Sequence, residues 1–284
     1  MQRYSLEIAD AGTPLRLSWV EWGAAAAPRT VVCVHGLTRN ARDFDGLARA
    51  LAAAGLRVLC VDVPGRGQSG WLADPLRYTV PVYALQLAQW LDRLGLARVA
   101  WVGTSMGGLI ALELARSQPD RFRQLVLNDI GPFVARSALS PIKTYLGLDL
   151  VFPSLEAVER HLRSIHAGFG PLPDAVWRHL AAHSARRDHD GWRLHYDPRI
   201  REPFLQTAEA DIDMWEGWER LACPILVLRG AESNILSAET AARMRCSKPG
   251  VQLVEFAGVG HAPALFARDQ IATVEKFVTE AATY

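Results

Sequence analysis

Short apolar runs alternate with longer amphipathic stretches through the first 130 residues. Residues 15–22, 30–34, 57–61, 99–102 and 124–127 are apolar and of strand length. Between them, residues 41–54, 78–94 and 106–117 carry helical length and periodicity. Near-continuous apolar strands joined by helical crossovers predict an α/β fold, a mostly parallel sheet with helices on both faces. The pattern returns late in the chain. Residues 224–228 and 251–256 are strands, 238–245 a helix, and 262–282 largely a closing helix. Four alanines at 24–27 form a loop before the third strand.

The middle of the chain has a different character. Residues 132–215 hold few strand-like runs and several helical ones, notably 154–166 and 174–185. Trp177, Trp192 and Trp215 fall here, as do six of the eight histidines: His161, His166, His179, His183, His189 and His195. The expected organisation is a core of residues 1–131 and 216–284, with a helical cap of residues 132–215 inserted after the sixth strand. Such a cap would sit over a site at the top of the sheet, with Trp177 or Trp215 as a pocket wall.

Composition narrows the function classes. Half of the 284 residues are hydrophobic, about a fifth are charged and the net charge is +1, with both signs interspersed. That is no basic footprint for nucleic acid. No apolar run reaches the ~20 residues a membrane span needs. Met1–Glu7 has no apolar signal core, so a cytoplasmic location is expected. The four cysteines, Cys33, Cys60, Cys223 and Cys246, form no C-x-x-C pair and are expected as buried, reduced thiols. His179 and His183 share a helical face, but no glutamate completes H-E-x-x-H, and no metal is expected.

The chemistry centres on Gly103-Thr104-Ser105-Met106-Gly107. A strand enters this G-x-S-x-G and a helix leaves it, the context of a nucleophile elbow. The glycines permit a turn tight enough to project the Ser105 hydroxyl from the sheet crest, and the helix N-terminus favours negative charge there. A serine needs an imidazole to take its proton. The order serine, acid, histidine puts that group after the last strand, where Gly258-Val259-Gly260-His261-Ala262-Pro263 lies. Pro263 suits the first turn of the closing helix. Two backbone donors for an oxyanion are expected from Met106 and, in the turn His35-Gly36-Leu37-Thr38-Arg39, from Leu37. Gly36 and Arg39 of that turn are expected at the substrate.

Taken together, His35-Gly36, Asp62-Val63-Pro64-Gly65-Arg66-Gly67-Gln68-Ser69, Gly103 to Gly107 and Gly260-His261 resemble the α/β-hydrolase fold family over nearly the whole chain. The similarity is greatest to its cap-bearing esterases and carbon–carbon-bond hydrolases, and implies an eight-stranded type of sheet. Ser105 disfavours the members with an aspartate nucleophile. The resemblance also implies an acid after the strand at 224–228, but Asn234 stands there. Three acids remain open: Asp129 past the preceding strand, Glu232, or an aspartate lost at Asn234. Hydrolysis of a small carboxylic ester through an acyl-enzyme is the leading expectation. The alternatives are a carbon–carbon-bond (dienol-ketone) hydrolase and a silent ligand-binding homologue. No cofactor is expected, because the glycines at 65–70 match neither the P-loop nor the dinucleotide fingerprint.

Overall fold

The computed structural model describes residues 1–206 and 210–280. The chain opens with β1 (Gln2–Asp10), β2 (Thr13–Trp22) and β3 (Thr30–Val34), followed by α1 (Asp45–Ala53) and β4 (Arg57–Asp62). Then come α2 (Val80–Arg93), β5 (Val99–Thr104), α3 (Met106–Ala115) and β6 (Phe122–Asn128). A long segment follows with β7 (Phe133–Val134), α4 (Arg136–Lys143), α5 (Leu155–Ile165) and α6 (Asp174–Ser184). It continues through β8 (Ala185–Asp188), β9 (Gly191–Leu194), α7 (Glu202–Gln206) and β10 (Ile212–Asp213). Last are α8 (Trp215–Arg220), β11 (Ile225–Gly230), α9 (Ala238–Ser247), β12 (Gln252–Phe256) and α10 (Arg268–Thr279).

Eight strands form one sheet in the order β1-β2-β4-β3-β5-β6-β11-β12. The β1–β2 and β2–β4 pairs are antiparallel; every other pair is parallel. The inner strands are apolar at successive positions because both faces are covered. Val31 and Cys33 point to one face, against Leu47 and Leu51 of α1 and Val274 and Phe277 of α10. Val32 and Val34 point to the other, against Leu87 and Trp90 of α2, Ile110 of α3 and Trp218 of α8. Truncating one such leucine to alanine costs about 2–5 kcal/mol. Helix α3 is apolar nearly all round because only Glu113 of its ten residues escapes full burial. Strand β1 has no counterpart among the predicted strands. It is an edge strand whose first five residues face solvent at least in part, so its sequence lacks a continuous apolar run.

The segment between β6 and β11 is closed at its base. Phe133 and Val134 pair with Asp213 and Ile212, and the Met214 N–H donates to the Pro132 carbonyl at 2.7 Å. The expected helices are present as α5 and α6, and residues 185–194, for which the sequence predicts no strand, form a β-hairpin. A small apolar core of Phe152, Val158, Leu162, Trp177 and Leu180 holds the segment together. Two further expectations differ. Pro263 lies in a loop, since α10 starts only at Arg268. Of the four free cysteines, Cys33 and Cys60 are buried, while Cys246 is exposed. Among the described residues no helix is long and apolar enough to cross a membrane.

Candidate active site

Between β5 and α3 stands Ser105, with φ +50° and ψ −115°. A non-glycine residue in such a conformation costs about 1–3 kcal/mol. Its N–H donates to the Asn128 carbonyl at 3.0 Å, which fixes the turn to the end of β6. The flanking glycines are obligatory. A Cβ on Gly103 would lie 2.5 Å from the Gly107 carbonyl, and one on Gly107 would lie 2.0 Å from the Val34 oxygen.

The loop after β12 carries His261 to this crest. The Ser105 hydroxyl donates to His261 Nε2 at 2.9 Å, and His261 Nδ1–H donates to Asp129 Oδ2 at 2.7 Å. The tautomer follows from the partners. Asp129 is fully buried and takes two further donors, the Gly230 N–H on Oδ1 at 2.8 Å and the Ser233 hydroxyl on Oδ2 at 2.5 Å. A carboxylate receiving three hydrogen bonds is an acceptor throughout, so the imidazole proton sits on Nδ1 and Nε2 presents its lone pair to serine. Of the three acids open to the sequence, Asp129 meets His261. Asn234 and Glu232 are exposed, on the loop whose Ser233 braces Asp129.

The loop is pinned from two sides. Asn128 Nδ2 donates to the Pro263 carbonyl at 2.8 Å and to Thr104 Oγ1 at 3.0 Å, and the Gly260 N–H donates to the Gly168 carbonyl at 2.7 Å. Asn128 and Ser233 lay beside residues weighed as acids, yet nothing in their types announced these bonds.

The orientation of two peptide planes beside the serine follows from the partners of their carbonyls. The Gly36 carbonyl accepts from His35 Nδ1–H at 2.8 Å and from the Arg39 N–H at 3.1 Å. In a trans peptide the N–H opposes the C=O, so the Leu37 N–H is turned the other way. The Ser105 carbonyl accepts the N–H groups of Gly108 and Leu109 at 2.8 and 3.1 Å, inside α3. The Met106 N–H therefore points out of the helix start. His35 is neutral: burial first, with the charges of Arg66 and Arg39 adding to it, pushes its pKa down to about 3. Its Nε2 accepts the Val63 N–H at 2.9 Å, which leaves the proton on Nδ1 for Gly36. The motif 62–69 is held by Asp62, whose carboxylate accepts from the N–H groups of Ala41 and Gln68. Burial pushes the Asp62 pKa up to about 6.

A cavity opens above Ser105 and His261, with Gly36, Leu37 and Arg39 in its lining. Its walls from the inserted segment include Ile142, Tyr145, Ile165, His166, Phe169 and Leu180. Arg39 is buried and bound through Nε and Nη2 to both carboxylate oxygens of Asp43 at 2.7 Å. His166 is buried, stacked on Phe169, and its Nε2 has no hydrogen-bond partner among the described residues. Burial, with the charge of Arg39 next, holds its pKa well below the ordinary value.

Trp177 and Trp215, expected as walls, line no part of this cavity. Trp177 stands one layer back, stacked under Phe169 and Arg163 within the core of the insertion. Trp215 starts α8, edge-on to Trp218 with the Arg243 guanidinium 3.8 Å over its ring centroid. His179 and His183 approach Asp45, with candidate ligand atoms within 4.8 Å of one another. Arg42 occupies that spot. It binds both oxygens of Asp45, and its Nη1 lies 3.5 Å from His183 Nδ1, so a divalent ion would meet a fixed cation.

A strand–serine–helix turn, a histidine loop after the last strand and a mostly parallel eight-stranded sheet define a class. Residues 29–267 match the family model of the alpha/beta hydrolase fold. The chain belongs to the α/β-hydrolase fold family and is a hydrolase. It is 42% identical, over 94% of each chain, to a 3-hydroxybutyrate-oligomer hydrolase of Cupriavidus necator. It is 29% identical to a 2-hydroxy-6-oxononadienedioate/2-hydroxy-6-oxononatrienedioate hydrolase of Cupriavidus pinatubonensis, over 89% of this chain and 87% of that one. Among solved structures, an alpha/beta hydrolase from Novosphingobium aromaticivorans matches with a TM-score of 0.87 and 36% identity, over 98% of both chains.

Proposed function

We propose that the chain hydrolyses a small carboxylic ester through an acyl-enzyme on Ser105, with short oligomers of 3-hydroxybutyrate as the substrate of choice. The observation that carries this reading is the relay of 2.7 and 2.9 Å from Asp129 through His261 to Ser105. His261 Nε2 takes the hydroxyl proton as Ser105 Oγ attacks the ester carbonyl. The carbonyl oxygen becomes an oxyanion between the N–H groups of Leu37 and Met106. His261 then protonates the leaving alkoxide, the C–O bond breaks, and the acyl group stays on Ser105. A water molecule, deprotonated by His261, repeats the sequence and releases the acid.

The substrate assignment draws on the relative from Cupriavidus necator and on the cavity. Thr38, Arg39, Tyr145 and His166 put polar atoms among apolar walls, which suits a short chain interrupted by oxygen better than a plain fatty acyl group. Residues 132–215 act as a lid that shields the acyl-enzyme from bulk water.

The experiment compares three substrates: 3-hydroxybutyrate dimers and trimers, p-nitrophenyl butyrate, and a dienol-ketone. Oligomer turnover exceeding that of the other two, and lost in Ser105→Ala, is the expected result. Preference for the dienol-ketone would transfer the protein to the carbon–carbon-bond hydrolases. Tight binding of the oligomers without turnover would make it a silent ligand-binding homologue.

A further inference from the structure

Arg66 is one of the largest fully buried side chains of the protein, at 0% exposure. Among the described residues no carboxylate pairs with it. Its Nε–H donates to the Leu37 carbonyl at 2.8 Å, and Nη1 donates to the Pro64 carbonyl at 2.8 Å and to the Tyr83 hydroxyl at 2.6 Å. Its Nη2 reaches Met106 Sδ at 3.7 Å. The rings of Tyr83 and Tyr78 flank the guanidinium at 5.0 and 5.7 Å. The buried carboxylate beyond Tyr78, Asp197, is already engaged by the Tyr78 hydroxyl at 2.6 Å and by Arg199 at 2.8 Å. The charge of Arg66 is therefore dispersed over carbonyl dipoles and π faces and is not cancelled.

A buried cation without a counter-ion is expensive to retain, and an apolar side chain of similar volume would commonly serve packing as well. Its contacts explain the retention. The two residues whose N–H groups would receive the oxyanion, Leu37 and Met106, are both touched by this one guanidinium. Leu37 is held through its carbonyl, which fixes the peptide after the donor, while His35 fixes the peptide that contains it. Met106 is held through its side chain at the start of α3. The backbone of Arg66 is itself laced to the inserted segment, with the Gly67 N–H on the His195 carbonyl at 3.0 Å and the Asp197 N–H on the Gly65 carbonyl at 2.8 Å.

We infer that Arg66 is a positioning residue for the oxyanion: it locks Leu37 and Met106 in place and sets a fixed positive charge behind the oxyanion donors. This inference rests on the acyl-transfer reading above. The charge does no work on the neutral ester, and gains value only when negative charge appears on the carbonyl oxygen. Its signature is accordingly a loss of kcat with little change in KM.

The test uses the protein with Arg66→Met, Arg66→Gln and Arg66→Lys. Each is measured for kcat and KM on p-nitrophenyl butyrate and for inhibition by a trifluoromethyl ketone, which binds as an oxyanion, against the matching methyl ketone. Outright loss of an oxyanion donor costs about 10²–10³-fold in kcat, so an indirect support is expected to cost roughly 10–100-fold. Methionine and glutamine should lower kcat and trifluoromethyl ketone affinity by similar factors, while KM and methyl ketone affinity stay within about twofold. Lysine, which keeps the cation, should recover part of the loss, and the lysine–glutamine pair decides the matter if the methionine variant does not fold. A purely structural role would weaken both ketones equally and make lysine no better than glutamine, and either result overturns the inference. Wild-type turnover that vanishes in Ser105→Ala checks the acyl-transfer reading separately, so the two can fail independently.

Discussion

Replacing Asp129 by asparagine tests the relay with the smallest change of shape. Three donors converge on the carboxylate: the Gly230 N–H on Oδ1, and the Ser233 hydroxyl and His261 Nδ1–H on Oδ2. An amide has one oxygen and one NH₂, so its orientation decides the outcome. The Gly230 N–H cannot turn away, because its peptide belongs to β11, so the amide oxygen must occupy the Oδ1 position. The NH₂ then faces His261 and Ser233. Ser233 Oγ already accepts from the N–H groups of Ile235 and Leu236 at 3.2 and 3.1 Å and has little capacity for another donor. His261 must therefore present a bare Nδ1 to the amide, which moves its proton to Nε2, opposite Ser105. A histidine in that tautomer cannot accept the serine proton. The corresponding change in a serine protease costs about 10⁴ in rate, or about 5.5 kcal/mol. We expect Asp129→Asn to lose about 10⁴-fold in kcat on p-nitrophenyl butyrate with KM within a few-fold, while circular dichroism is unchanged. Asn234→Asp, at an exposed position, should change kcat by less than about threefold. A loss below tenfold in Asp129→Asn, or a steep gain in Asn234→Asp, would refute the assignment of the acid.

Ser233→Ala removes a charge-assisted hydrogen bond from Asp129, a contact of about 1.5–3 kcal/mol, and should lower both kcat and the urea midpoint. An unchanged midpoint would show that the 2.5 Å contact is not a strong one. Ser105→Gly relieves the positive φ and should unfold about 1 kcal/mol later than Ser105→Ala in urea, although both are inactive. The pKa of His35 lies at about 3 in the folded protein against 6.5 ordinarily, so between these values the unfolded chain binds the extra proton. Its contribution is complete above pH 6.5 and falls by about 1.4 kcal/mol per pH unit on acidification towards 3. Asp62, raised to about 6, acts with the opposite sign between 6 and 3.8, so the slope must be isolated by difference. Urea titrations of wild type and His35→Gln at pH 7 and pH 5 should converge at the lower pH; a constant gap would contradict the buried neutral imidazole.

The sheet was legible because burial on both faces forces its inner strands to be apolar throughout, and β3, β4, β5 and β11 are visible by eye. Strand β1 and the hairpin of β8 and β9 were not. The first is an edge strand largely open to solvent, and the second, Ala185–Leu194, carries arginines and aspartates that pair across it and with neighbouring loops. Ser105 and His261 were legible from glycine patterns: the turn at Ser105 has no room for a side chain at Gly103 or Gly107, and Gly258 before His261 takes a φ of +69°. The acid was ambiguous for a topological reason. β6 and β11 are neighbours in register, with Asn128 beside Leu228, so residues following either strand arrive at the same end of the sheet. Which one reaches His261 depends on backbone direction at Asp129, where φ is +55°, and sequence spacing does not encode that. The tryptophans misled for a similar reason. Enrichment in the insertion located apolar mass correctly, but Trp177 faces the core of that segment and Phe169 stands between it and the cavity. Arg66 and His166 were invisible as polar groups of the site, because their meaning lies entirely in what surrounds them.

Acyl transfer through Ser105 is most directly tested by intact mass measurement of the protein after reaction with a fluorophosphonate, followed by peptide mapping. One adduct per chain is expected, on the peptide containing Ser105, formed slowly in Asp129→Asn and absent in Ser105→Ala. An adduct on another residue, or none on a wild-type protein that still hydrolyses esters, would contradict it.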